Sequence, residues 1–281
     1  MVFHPALIAL LGSLFAQAAP SPVGTVPAIV TIAWLQQHLN DSNVRVISTG
    51  DKGVYDRAHI PGARYISHDD AMVMGANQGL PAPALLASAL ANAGAVDNTH
   101  IVLYGDSPAT TGWLFMAFAS IGHGADVSML EAGIDAWIAE GHSASTTAPP
   151  PANGTLTVRS TGDVVVDAAW VKARLESPTV RVLDVRTTGE WNAGHLPGAK
   201  LVLWQDLFAD LKMQKLKPID EIRKVFAAAD VQSGQEVVTY CAIGMRASLM
   251  YWAARAAGVP ARVYVGSFTD WQSNSTNPIV K

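Results

Sequence analysis

Ala58-His59-Ile60-Pro61-Gly62-Ala63 returns later in the chain as Gly194-His195-Leu196-Pro197-Gly198-Ala199. His59 and His195 stand 136 residues apart, and the spacing persists around them. Each hexapeptide follows a strand-like run, Val44-Arg45-Val46-Ile47-Ser48 in the first copy and Val180-Arg181-Val182-Leu183-Asp184 in the second. Each precedes another such run, Ile101-Val102-Leu103-Tyr104 and Val237-Val238-Thr239-Tyr240, then a turn and an apolar helical segment. The copies close on Gly133 and Trp137, and on Gly266 and Trp271. An offset this constant over about 110 residues marks two homologous domains, not a solenoid of short repeats. The length of 281 residues agrees with two domains.

Strands and helical segments alternate within each copy, with helices expected over 83–93, 110–121, 218–229 and 246–257. That alternation predicts an α/β fold: two domains, each a parallel sheet of about five strands with helices on both faces. The first domain is read as 25–141 and the second as 163–281. Between them, 142–162 is rich in Ser, Thr and Gly around Pro149-Pro150-Pro151 and reads as an extended linker. Asp167 is the expected N-cap of a helix running through Leu175.

Composition excludes several function classes. Hydrophobic residues make up 49% of the chain and charged residues 15%, which rules out disorder. The net charge is -4 with no Lys/Arg cluster, so no nucleic-acid partner is expected. One cysteine excludes an intrachain disulfide framework and a multi-cysteine metal site. The eight histidines show no ligand spacing, and no metal or other cofactor is expected. Residues 6–16, ALIALLGSLFA, followed by Ala16-Gln17-Ala18, read as a secretory signal ending at residue 18, although the preceding MVFHP lacks Lys and Arg. The mature protein is therefore expected to be periplasmic or secreted, off the membrane, and monomeric.

In parallel sheets, ligands sit outside the carboxyl ends of the strands. The turn after Tyr240 holds the lone Cys241, followed by Ala242-Ile243-Gly244-Met245-Arg246 and a helical pattern. Such a strand–turn–helix junction can aim the N–H groups of Ala242 to Arg246 at the sulfur. Amides and a nearby cation of this kind favour a thiolate at neutral pH. Gly244 suits a positive φ, and Arg246 adds a fixed positive charge.

With Asp184-Val185-Arg186, Glu190-Trp191, the GHLPGA hexapeptide, the loop Cys241–Arg246 and Tyr264-Val265-Gly266-Ser267-Phe268-Thr269-Asp270-Trp271, the chain resembles a tandem-domain rhodanese over about 25–281. These are the thiosulfate and 3-mercaptopyruvate sulfurtransferases. The resemblance implies sulfur transfer through a persulfide on Cys241, from a small-molecule donor to a thiophilic acceptor such as cyanide or a thiol. It also implies an inactive first domain, and here Asp106 stands in place of the thiol. The amides of Ala242, Ile243, Gly244, Met245 and Arg246 would hold the persulfide. Arg246 is the first candidate to bind the anionic end of the donor. Arg186 is the second, unless it forms an ion pair with Asp184 or Glu190 that only shapes the loop. His195 is read as structural, and Trp271 as the one tryptophan near the loop.

The loop matches neither sulfurtransferase pattern fully. Ala242 and Ile243 are neutral where thiosulfate-type loops often carry a basic residue, and Arg246 stands where mercaptopyruvate-type loops end in Ser or Thr. Arg246 favours thiosulfate. Two rivals stand beside this reading. A cysteine phosphatase would need five residues between Cys and Arg, where this loop has four. A non-enzymatic persulfide carrier would use the same residues without turnover.

Overall fold

The computed structural model describes residues 26–67, 80–151, 154–160 and 163–281, and in it the repeated strand runs pair within each copy. The first sheet contains β1 (Ile29–Val30), β2 (Val44–Gly50), β3 (Arg64–Ser67), β4 (His100–Gly105) and β5 (Val127–Leu130). The second contains β6 (Val165–Val166), β7 (Val180–Asp184), β8 (Lys200–Leu201), β11 (Glu236–Tyr240) and β12 (Ala261–Tyr264). Their orders, β1-β5-β4-β2-β3 and β6-β12-β11-β7-β8, are the same permutation, and every pairing is parallel. Between β8 and β11 the second domain inserts an antiparallel hairpin, β9 (Phe208–Asp210) with β10 (Lys215–Leu216), which the sequence reading did not anticipate. The expected signal segment lies outside the described residues.

The first domain's helices are α1 (Ile32–His38), α2 (Lys52–Arg57), α3 (Pro83–Asn92), α4 (Pro108–Ser120) and α5 (Ile134–Ala139). The second domain's are α6 (Ala168–Lys172), α7 (Thr188–Ala193), α8 (Ile219–Ala228), α9 (Met245–Ala257) and α10 (Ser267–Ser273). Asp167 caps α6 as expected, accepting the Trp170 N–H at 2.8 Å, but the helix stops at Lys172 rather than Leu175. Side chains alternate across each sheet. Val46, Val102 and Tyr104 join one apolar cluster with α1 and α5, while Ile47, Ile101 and Leu103 face α3 and α4. The second sheet repeats this, with Val182, Val238 and Tyr240 on one side and Leu183 and Val237 on the other.

The clusters on the α4 and α9 sides of the two sheets are one continuous core spanning both domains. The two helices cross in close contact at Gly112. A Cβ there would lie 2.4 Å from the Leu249 Cα, so only glycine fits. Ser248 adds a hydrogen bond across the seam to the Met116 sulfur, 3.3 Å away. The linker is laid along the first domain: Ser145 pairs with His59, Leu156 is buried, and Arg159 forms an ion pair with Asp126.

The two hexapeptide turns are built alike. His59 stacks on Tyr55 and His195 on Trp191, with interplanar angles of 8° and 14°. Tyr104 and Tyr240, at matching strand positions, accept the N–H of Ile60 and of Leu196 at 3.0 and 3.1 Å. These contacts account for the repeated motif as a fold element and give His195 a structural part.

Candidate active site

Cys241 directly follows the last residue of β11, and α9 begins four residues later at Met245. Tyr240 and Cys241 are buried, which fixes the strand end in the core. The chain then reverses through Gly244, at φ +94°. A Cβ at Gly244 would lie 2.7 Å from the Val265 carbonyl oxygen, so this turn needs glycine for both its backbone and its neighbour. The reversal brings the Gly244 N–H to 3.1 Å from Cys241 Sγ, to which it donates.

The loop is stitched to the next turn. Cys241 N–H donates to Ser267 Oγ at 3.1 Å. The carbonyls of Cys241 and Ala242 accept the N–H groups of Phe268 and Thr269 at 2.9 and 3.1 Å. Of the other loop residues proposed to bind substrate, Ala242 is half-buried and Ile243 is 54% exposed at the tip. The Met245 side chain is buried in the shared core, so only its backbone could serve the site.

Arg246 is half-buried and gripped by Glu190: Nη1 donates to Oε2 at 2.8 Å and Nη2 to Oε1 at 2.7 Å. Hydrogen bonding to Glu190, and secondarily the Cys241 sulfur, raises the guanidinium's pKa above its ordinary value. Arg246 is therefore held by the carboxylate and also feels the thiol. Glu190 takes one N–H from each terminal nitrogen, which leaves three of the five guanidinium N–H groups for other partners. Glu190 is also the third residue of a capping box, its Oε2 accepting the Thr187 N–H at 2.9 Å. The start of α7 thus fixes the carboxylate that fixes Arg246. The sequence reading missed this clamp, although Thr187-Thr188-Gly189-Glu190 carries the capping-box signature.

Those contacts, first with Arg246 and then with Thr187, hold the Glu190 carboxyl at about 2, below its ordinary 4.5. A depressed carboxylate stabilises the fold above its unfolded pKa, and that contribution is lost as pH falls through the folded one. Glu190→Gln should therefore lower the denaturation midpoint by a constant amount above pH ~4.5. The gap to the parent should close as pH falls toward ~2. Denaturant titrations of both proteins across that range check it.

Arg186 is placed differently from the substrate-binding role considered for it. Its side chain is 3% exposed, its Nη2 donates to Asp184 Oδ2 at 2.6 Å and to the Gly194 carbonyl at 2.7 Å, and it lies over the Phe268 ring. Asp184 is wholly buried and also accepts the Tyr240 hydroxyl proton. The charge that Asp184 neutralises is thus spent joining β7, the hexapeptide turn and α10. Trp271 is likewise not a loop residue. It lies in the cluster on the other side of the sheet from Cys241 and donates from Nε1 to the Pro278 carbonyl, as Trp137 does to Ser143.

The first domain's matching loop closes on itself. In the strand register Gly105, not the expected Asp106, matches Cys241; Asp106 follows it, and its Oδ1 accepts the Asp51 N–H at 2.9 Å. Gly50 stands where the second domain has Arg186, and a Cβ there would fall 1.6 Å from that same oxygen. Among the described residues no group of three or more His, Cys, Asp or Glu side chains could hold a metal ion.

A family model for the rhodanese-like domain matches residues 31–140 and again 167–274. The sulfur carrier protein TtuD of Thermus thermophilus is 28% identical over 277 residues, covering 90% of this chain and 96% of its own. A thiosulfate sulfurtransferase of Corynebacterium glutamicum is also 28% identical, over 89% of both chains. A probable 3-mercaptopyruvate sulfurtransferase of Pseudomonas aeruginosa is 28% identical over 80% of this chain and 85% of its own. The crystal structure of the Escherichia coli 3-mercaptopyruvate sulfotransferase SseA superposes with a TM-score of 0.74 at 22% identity, over 86% of this chain and 99% of that one. With both copies matched and the lone cysteine at the mouth of the second, the chain belongs to the rhodanese-like family as a tandem of two such domains.

Proposed function

We propose that the protein is a sulfurtransferase that moves a sulfane sulfur from thiosulfate to a thiophilic acceptor through a persulfide on Cys241. The Cys241 thiolate attacks the outer sulfur of the donor. The donor's S–S bond breaks, sulfite leaves with the bonding pair, and Cys241 carries the outer sulfur as an anionic persulfide. Cyanide or a thiolate then attacks that outer sulfur, and the Cys241 thiolate is regenerated. The loop's preorganised N–H dipoles stabilise the anion at each stage, so no separate general base is required.

The observation that carries this reading is the placement of Arg246 beside the only thiol, with guanidinium N–H groups left over by Glu190. It is the one cation on the loop, and it supports an anionic donor. Arg246→Ala should raise KM for thiosulfate about tenfold, equivalent to about 1.4 kcal/mol of donor binding. Arg246→Lys should recover less than half of that, because lysine keeps the charge and loses the fork. Steady-state kinetics with thiosulfate and with 3-mercaptopyruvate against one acceptor decide the donor. An unchanged thiosulfate KM in Arg246→Ala, or a kcat/KM favouring 3-mercaptopyruvate, would replace thiosulfate as the donor. A persulfide that forms but never turns over with free acceptors would make the protein a carrier, the role named for its Thermus relative.

A further inference from the structure

We infer that Ser267 is a positioning residue of the catalytic loop, whose hydroxyl and strained backbone together aim the loop's amides at the sulfur. Ser267 is fully buried and adopts φ +56°, a left-handed conformation that L side chains rarely take. Counting back from the closing tryptophans, its counterpart in the first copy is Gly133, which sits at an unstrained φ of -79°. The copy with the thiol therefore carries a side chain in a strained conformation, and the copy without it carries a relaxed glycine. A backbone kept under strain persists where the surroundings hold it for a purpose.

The contacts show what that purpose is. Ser267 Oγ accepts the Cys241 N–H at 3.1 Å and donates to the Tyr264 carbonyl at 2.9 Å, so the hydroxyl ties the cysteine to the end of β12. The left-handed turn then presents the next two N–H groups, of Phe268 and Thr269, to the carbonyls of Cys241 and Ala242. In a trans peptide the N–H points opposite to the preceding C=O. Fixing those two carbonyls toward α10 therefore turns the N–H groups of Ala242 and Ile243 away from α10, into the loop. Two successive amides are thus oriented by one serine and the turn it opens, and they join the Gly244 N–H that the Gly244 reversal already places on Sγ. Ser267 touches neither donor nor acceptor and acts through Cys241.

The kinetic part of this inference rests on the persulfide reading; the thiol-titration part does not. The test uses Ser267→Gly, which removes the hydroxyl and relaxes the backbone, and Ser267→Ala, which removes the hydroxyl and keeps the strain. The chain has one cysteine, so its thiolate absorbance against pH, with Cys241→Ser as the blank, reports on this sulfur alone. Ser267→Gly should unfold no earlier than the parent, yet its titration midpoint should rise by about half a pH unit or more. Its kcat should fall about tenfold with KM within about twofold, since the amides serve the anion formed in the reaction more than donor binding. Ser267→Ala should show the same titration shift together with a lower unfolding midpoint. A Ser267→Gly titration that overlays the parent's, or a kcat within about twofold of it, overturns the assignment. An active Cys241→Ser protein would instead overturn the persulfide reading and leave the titration result standing.

Discussion

Cys241→Ser should give a folded protein that transfers no sulfur from either donor, with turnover reduced at least ~10⁴-fold, or more than about 5 kcal/mol of barrier. The hydroxyl fits the buried site and still accepts the Gly244 N–H, so loop and core have no cause to move. What it cannot do is hold a sulfane sulfur and release it again. The chain contains no second cysteine to take over, which makes the loss complete rather than partial. Two measurements check this together. Mass spectrometry after incubation with donor should show one added sulfur atom on the parent and none on the variant, and circular dichroism should overlay the two. Substantial turnover in a folded Cys241→Ser protein would end the persulfide mechanism.

Asp184→Asn should cost about 3–5 kcal/mol of stability, the scale for leaving one member of a buried ion pair unmatched. Asp184 and Arg186 are 0% and 3% exposed, so water cannot replace the lost carboxylate. The Tyr240 hydroxyl, which donates to the same carboxylate, loses its charged acceptor too. Because the Arg186 side chain also holds the Gly194 carbonyl and packs on Phe268, the damage should reach the turn that fixes Cys241. Denaturant unfolding of parent and variant measures the cost. A variant within ~1 kcal/mol of the parent would show that the pair is dispensable and return Arg186 to the candidates for donor binding.

The architecture was legible wherever a physical period repeats. The constant offset between the copies gave the domain count, and the run Val180–Asp184 became β7 without adjustment. Two helix starts were read late, by two residues at Pro108 and by one at Met245. The expectation of Thr110 overlooked Ser107, whose side chain caps α4, with Pro108 in its first turn. Cys241 and its loop were legible because a thiol between a buried strand and a helix has few other uses. The β9–β10 hairpin was not, since two short strands of three and two residues carry no recognisable alternation. Partner choice was also hidden. Asp184 and Glu190 were both in reach of Arg186 along the chain, and only folding assigns the first to Arg186 and the second to Arg246. Ser267 looks like any serine in sequence, because its meaning lies in a φ value that no composition records.

The close crossing of α4 and α9 also gives the copy without a cysteine a structural part. After a duplication, a half that lost its nucleophile would be free to erode if it only sat beside the working half. Here it cannot, because α9 starts at the Cys241 loop and its flank is completed by α4, with Gly112 packed against Leu249. Removing the first domain would expose half of a shared core at the base of the loop. The copy carrying Asp106 thus behaves as an obligate subunit fused in cis. Its tolerance to change is set by the fit of a helix seam.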